Sequence, residues 1–163
     1  MKLEVGTEIK PFKINMVSRP WGVYGLYADN VKSTTKILYI KPNESLSMQF
    51  HFRRCQLYLA LDDDFIVQYS TVPVPKEILD MPDEQPKFDL LNKFLDEHLI
   101  TTTANEGDLY GFHKFIVHRT TYKGKRDYGR ILDVALGIEE GDENDELDIV
   151  RIRDEYGRSN FKV

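Results

Sequence analysis

The chain has 163 residues, 41% hydrophobic and 30% charged, with a formal net charge of −5 at pH 7, which suits one domain with its own core and excludes a disordered or fibrous chain. The acidic balance, gathered in EEGDENDELD (139–148), argues against nucleic acid as a partner, and the single cysteine, Cys55, excludes an internal disulfide. No stretch has the length of a membrane span or the form of a secretory leader, so the expectation is one domain over 1–163 in the cytoplasm, with no membrane partner.

In chain order, residues 1–17 read as an arm or one or two short strands, since Val5, Ile9 and Ile14 are spaced among charges without a helical stripe. TTKILYIK (34–41) is a strand ended by the turn KPNES, where Pro42 fixes one dihedral and Asn43 tolerates turn geometry. A second β region, MQFHFRRCQLYLAL, follows almost at once. Unbroken alternation would set His51, Arg53 and Cys55 on one side with Leu57, Leu59 and Leu61, and Phe50, Phe52, Arg54 and Gln56 on the other.

After DDDFIVQYS, a turn and a short strand, the rhythm is lost in TVPVPKEILDMPDEQP with its four prolines. FDLLNKFLDEHL (88–99) carries Phe88, Leu91, Leu95 and Leu99 at helical spacing, so residues 71–100 read as a proline-rich and helical insertion. Strands return at GDLYGFHKFIVHRTTYKG, at GRILDVALGIE and at LDIVRIRDEYGR. Many strands, one inserted helix and no alternating βα units predict an all-β barrel or sandwich. YKGKRDYGR (122–130) lacks the spacing of a phosphate-binding P-loop and reads as a solvated charged hairpin, with an anion-facing loop of Lys123, Lys125, Arg126 and Arg130 as the alternative.

Three segments in order, RPWGVY (19–24), YIKPNESLSMQFH (39–51) and DIVRIRDEYGR (148–158), resemble a known family. It is the cupin domain at the carboxyl-terminal end of bifunctional mannose-6-phosphate isomerase and mannose-1-phosphate guanylyltransferase proteins. The resemblance implies a double-stranded β-barrel, or jelly roll, often a homodimer. It also implies interconversion of mannose 6-phosphate and fructose 6-phosphate on a divalent ion, Zn²⁺, Mn²⁺ or Co²⁺, held by His and Glu. The chain has no room for the nucleotide-transferring half.

Against the family's histidine-rich motif, LSMQFHFRRCQLY keeps His51, places Phe52 and Arg53 at histidine positions and Gln56 at the Glu position. In GDLYGFHKFIVH, Gly107, Asp108 and His118 match, while His113 and Phe115 stand at the Pro and Gly positions. His51 and His118 are the metal ligands that the resemblance leaves, an incomplete set: an arginine has no acceptor atom and a glutamine offers only a neutral carbonyl. The residues assigned to chemistry are His51, His118 and Arg158, with Arg19, Trp21, Arg53, Gln56 and Tyr110 for the substrate. The reading is a cupin protein that binds a sugar or sugar phosphate, its metal-dependent activity altered or absent. Three alternatives stay open: an active isomerase, a noncatalytic oligomerisation or interaction module, and a carbohydrate epimerase or lyase using His118 or Tyr110.

Overall fold

The computed structural model describes residues 13–29, 32–137 and 148–158. The acidic run, apart from Asp148, and most of the amino-terminal arm lie outside the described residues. Among the described residues, eleven strands and two helices follow in chain order: β1 (Met16–Arg19), β2 (Gly22–Asp29), β3 (Ser33–Ile40), β4 (Met48–Phe50), β5 (Cys55–Ala60), β6 (Phe65–Ser70), α1 (Lys76–Leu79), α2 (Gln85–His98), β7 (Leu99–Ala104), β8 (Leu109–Phe112), β9 (His118–Tyr122), β10 (Gly129–Leu136) and β11 (Val150–Arg153). No described helix is long and apolar enough to cross a membrane.

The strands form two sheets, one ordered β1-β2-β3-β10-β5-β8 and the other β11-β4-β9-β6-β7. Their facing surfaces bury Trp21, Leu38, Ile40, Tyr58, Phe65, Phe112, Tyr122 and Ile131 in one core. Period-two alternation explains which side chains enter it: along β10, Gly129, Ile131, Asp133 and Ala135 are buried and their neighbours are more exposed. Gly22, the first residue of β2, is required by close approach to β3, since a Cβ there would fall 1.9 Å from the Tyr39 carbonyl oxygen. Asn43 takes a φ of 63° in the KPNES turn, the left-handed geometry that asparagine tolerates.

The closed jelly-roll barrel is corrected by this topology. Both sheets are open, and no ladder among the described residues joins their edges. Between edge strands β8 and β7, a side-chain bond stands where a ladder would run: the Tyr110 hydroxyl donates to the Thr103 carbonyl at 3.1 Å. Closure needs a continuous stagger of backbone bonds around the circle, which these edges do not supply.

The insertion covers the outer face of the second sheet. Met48, Phe50, Val117 and Ile152 on that face pack against Val74, Leu91, Phe94 and Leu95. Each such side chain removed from water contributes about 1.5–3 kcal/mol. The helix begins three residues before the apolar stripe, with Pro86 in its first turn, where a missing N–H costs nothing. Lys87 is buried there, its amine donating to the Leu79 and Met81 carbonyls, 3.0 Å each, and to Asp83 at 2.8 Å.

Candidate functional site

A cavity of about 310 Å³ opens between the sheets. β1 and the turn after it bring Arg19 and Trp21, β2 and β3 bring Tyr24 and Lys36, and β10 brings Asp133. From the other strands come Gln49, Gln56, Tyr58 and Arg151, with Arg54 and Arg158 from the segments beside them. Tyr24 anchors two cations, Arg19 at 5.3 Å and Lys36 at 5.1 Å from the ring centroid. Arg158 donates to both carboxylate oxygens of Asp154, from Nε at 3.0 Å and Nη2 at 2.6 Å, and lies 5.0 Å from the Tyr156 ring centroid. Burial pushes the Asp154 carboxyl up, but the Arg158 hydrogen bonds and charge outweigh it and hold the carboxyl below its ordinary value. Arg151 is shifted down by burial first, then by the fields of Arg158, Arg19 and Arg54, against the pull of Asp154. Neighbouring cations disfavour the charged form of a buried group in this way.

Behind the cavity wall lies a polar centre. Gln56 Oε1 accepts from His118 Nε2 at 2.7 Å, from His51 Nε2 at 3.0 Å and from the Tyr58 hydroxyl at 3.4 Å. The Gln56 amide nitrogen donates to Asp133 at 3.3 Å. The His118 ring stacks on Phe112 at 4.4 Å and meets Tyr58 edge-on. Its Nδ1 faces the Ile116 carbonyl at 3.0 Å, while His51 Nδ1 faces the Asp148 carbonyl and also lies 3.3 Å from Arg54 Nε. His118 thus stands between two oxygen acceptors, a geometry suited to a doubly protonated ring, whereas His51 Nδ1 accepts from Arg54 Nε–H, which requires that nitrogen unprotonated. Burial opposes the second proton: it drives His118 down to about 4, with Arg54 adding to the effect. His51 falls well below 6.5 through burial first, then Arg54 and His118. Burial therefore favours the neutral form of both rings.

The site residues fall into three places. Arg19, Trp21, Gln56 and Arg158 border the cavity. His51 and His118 are brought together on Gln56, but they sit behind it and do not border the cavity. Tyr110 packs against Tyr69 and Phe112 beside the sheet edge, away from the cavity.

Arg53 also lies apart, and the alternation that set it beside His51 is corrected. The strand breaks between β4 and β5, where the Asp148 carboxylate accepts the backbone N–H of Phe52 at 3.0 Å and of Arg53 at 2.6 Å. The turn exposes Arg53 and buries Arg54, 4% exposed, at the cavity. It also resets the parity, so that Gln56, Tyr58 and Ala60 face inward and the leucines of β5 do not. Arg54, Lys36, Asp133 and Arg151 escaped sequence reasoning. For Lys36 and Asp133 a signal existed: each is a charge on the buried parity of an apolar strand.

The donor set does not fit the ion that the resemblance implies. Two imidazoles converge, but on a neutral carboxamide, with a guanidinium against one ring. Among the described residues no three His, Cys, Asp or Glu side chains are grouped to hold a metal. A definite isomerase assignment is corrected with it, since that chemistry rests on a carboxylate and imidazole ligand set.

Solved structures with this arrangement are distant in sequence. The capsular polysaccharide assembling protein CapF from Staphylococcus aureus gives a TM-score of 0.57 at 9% identity, over 86% of this chain and 34% of CapF. The chain therefore spans about a third of CapF. An RmlC-like cupin from Shewanella frigidimarina gives 0.54 at 11% identity, over 83% of this chain and 96% of that one. Streptomyces PAC13 with uridine gives 0.56 at 11% identity, over 90% and 92%. No curated protein matches the chain by sequence. These likenesses are of fold alone. Residues 9–72 match the family described as mannose-6-phosphate isomerase C-terminal, so a cupin domain related to that family is present there.

Proposed function

We propose that the cavity binds a phosphorylated sugar, or a sugar anion of similar size, without metal-dependent turnover. One observation carries this reading: five cationic side chains, Arg19, Lys36, Arg54, Arg151 and Arg158, border the cavity with one carboxylate, Asp133, while Asp154 outside the lining pairs with Arg158. Clustered guanidinium groups repel one another, and an anion between them relieves that repulsion while accepting charge-assisted hydrogen bonds. Trp21 and Tyr24 supply flat apolar surface for a pyranose face. The relation of residues 9–72 to a sugar-phosphate family supports the same class of ligand.

The test is calorimetric titration of the full chain with mannose 6-phosphate and with mannose, at low salt and at about 0.5 M salt, where screening shortens the reach of exposed charges. The phosphorylated sugar is expected to bind and the neutral sugar not, with affinity falling as salt rises and in Arg151→Met. Equal affinity for both sugars, or indifference to salt and to the substitution, would sink the proposal. Interconversion of mannose 6-phosphate and fructose 6-phosphate in the presence of Mn²⁺ would overturn its noncatalytic part.

A further inference from the structure

We infer that Asp133 is a specificity-determining residue: it accepts a hydroxyl of the bound ligand and so selects a polyhydroxylated anion over a bare one. The inference rests on the reading of the cavity as an anion site and names what else the ligand must carry. Asp133 is 6% exposed and borders the cavity in the midst of its cations. A carboxylate in a phosphate pocket is a liability toward phosphate itself, because it repels the charge that the arginines attract. It becomes favourable when the ligand brings O–H donors.

The surroundings of Asp133 fit that role. Its strand neighbours in register are Lys36 on β3 and Tyr58 on β5, both bordering the cavity. The Gln56 amide donates to Asp133 Oδ1 at 3.3 Å and is itself held by the two imidazoles, so the carboxylate is addressed from a fixed wall. Gln49, Gln56 and Tyr58 add neutral donors and acceptors on the same lining, the mixed chemistry that a polyol needs and an inorganic anion does not. Size narrows the class further. At about 310 Å³ the cavity lies at the small end of ligand pockets, roughly 300–1,000 Å³, and suits one monosaccharide unit with one anionic group.

The experiment compares mannose 6-phosphate with inorganic phosphate, on the wild type and on Asp133→Asn, which keeps the shape and one acceptor oxygen. Wild type is expected to prefer the sugar ester by about tenfold or more, the scale of one hydrogen bond to a charged group. In D133N the ester should weaken by about tenfold while inorganic phosphate holds or tightens, so the preference collapses. A thermal melt of D133N confirms folding, and the wild-type preference is read without any variant. Parallel changes for both ligands, or no wild-type preference, would overturn the role of Asp133 alone. Failure of the wild type to bind either ligand would overturn the anion reading as well.

Discussion

Lowering the pH from about 7 to about 4.5 is expected to remove several kcal/mol of stability through two side chains, His51 and His118. In the unfolded chain each imidazole takes up its proton near 6.5, whereas in the fold His118 does so only at about 4 and His51 well below 6.5. Between those values the unfolded state binds more protons than the folded one. Stability therefore begins to fall as pH drops through 6.5 and goes on falling toward about 4. For His118 the interval from 6.5 to about 4, at about 1.4 kcal/mol per pH unit, is worth ~3 kcal/mol, and His51 shifts in the same direction. Urea unfolding followed by the fluorescence of Trp21, the single tryptophan, gives stability at each pH. The slope is expected to approach two protons, ~2.7 kcal/mol per pH unit. His118→Phe keeps an aromatic ring against Phe112 and should roughly halve that slope, whatever its own stability. The carboxylates of Asp62 and Asp154, shifted below 3.8, stabilise above that value and lose the contribution as pH falls beneath it, so they act below the imidazole window. A flat profile between about 6.5 and 4.5, or a slope that H118F leaves unchanged, would refute the reasoning.

Asp148→Ala removes two charge-assisted hydrogen bonds that hold the break between β4 and β5, and is expected to cost about 2–5 kcal/mol in urea unfolding together with weaker binding of mannose 6-phosphate, because Arg54 is placed by that turn. A loss below about 1 kcal/mol would show that the turn stands without its carboxylate. Phe115 has a φ of 66°, which a phenylalanine adopts at a cost of about 1–2 kcal/mol, while its ring packs at 5.7 Å on Phe52. Phe115→Gly sheds the strain and loses the ring, whereas Phe115→Ala loses the ring and keeps the strain. Glycine should therefore give the more stable variant of the two by about 1 kcal/mol, and the reverse order in thermal unfolding would contradict the strain.

The strands were legible wherever hydrophobic period and turn chemistry agreed, as at TTKILYIK and KPNES. The inserted helix was legible from Leu91 and Leu95, though its start was not, since the first turn is fixed by Pro86 and by the buried amine of Lys87 rather than by apolar spacing. Closure of the sheets was not legible. Counting strands says nothing about whether edges meet, and here Tyr110 bridges to Thr103 by its side chain. At the site, the family motif put His51 and His118 together and Gln56 at the Glu position, but strand alternation set Gln56 opposite His51, and the identity of the inward arginine was not legible. That choice depends on Asp148, ninety-odd positions away, accepting two backbone N–H groups and shifting the strand by one residue. A long-range capping bond leaves no mark in local periodicity.

Gln56 and the lack, among the described residues, of a metal-holding set make sense only together. A glutamate at position 56 without an ion would bury a second carboxylate beside Asp133, facing two imidazoles that burial keeps neutral, and would weaken the field that the arginines set up in the cavity. An ion without that glutamate would put a dication next to Arg54, with only two nitrogen ligands to hold it. The carboxamide avoids both penalties: it satisfies His51, His118 and Asp133 in one network and adds no charge. The positive potential that a metal would concentrate at one point is then spread over Arg19, Lys36, Arg54, Arg151 and Arg158 around the cavity. Such a field can hold a phosphate ester in place, but it offers no single Lewis-acidic centre at which a carbonyl would be polarised. On the proposed reading a glutamine at position 56 leaves a cavity that binds without a centre for turnover, and the ligand titration, more than an activity assay, tests that reading.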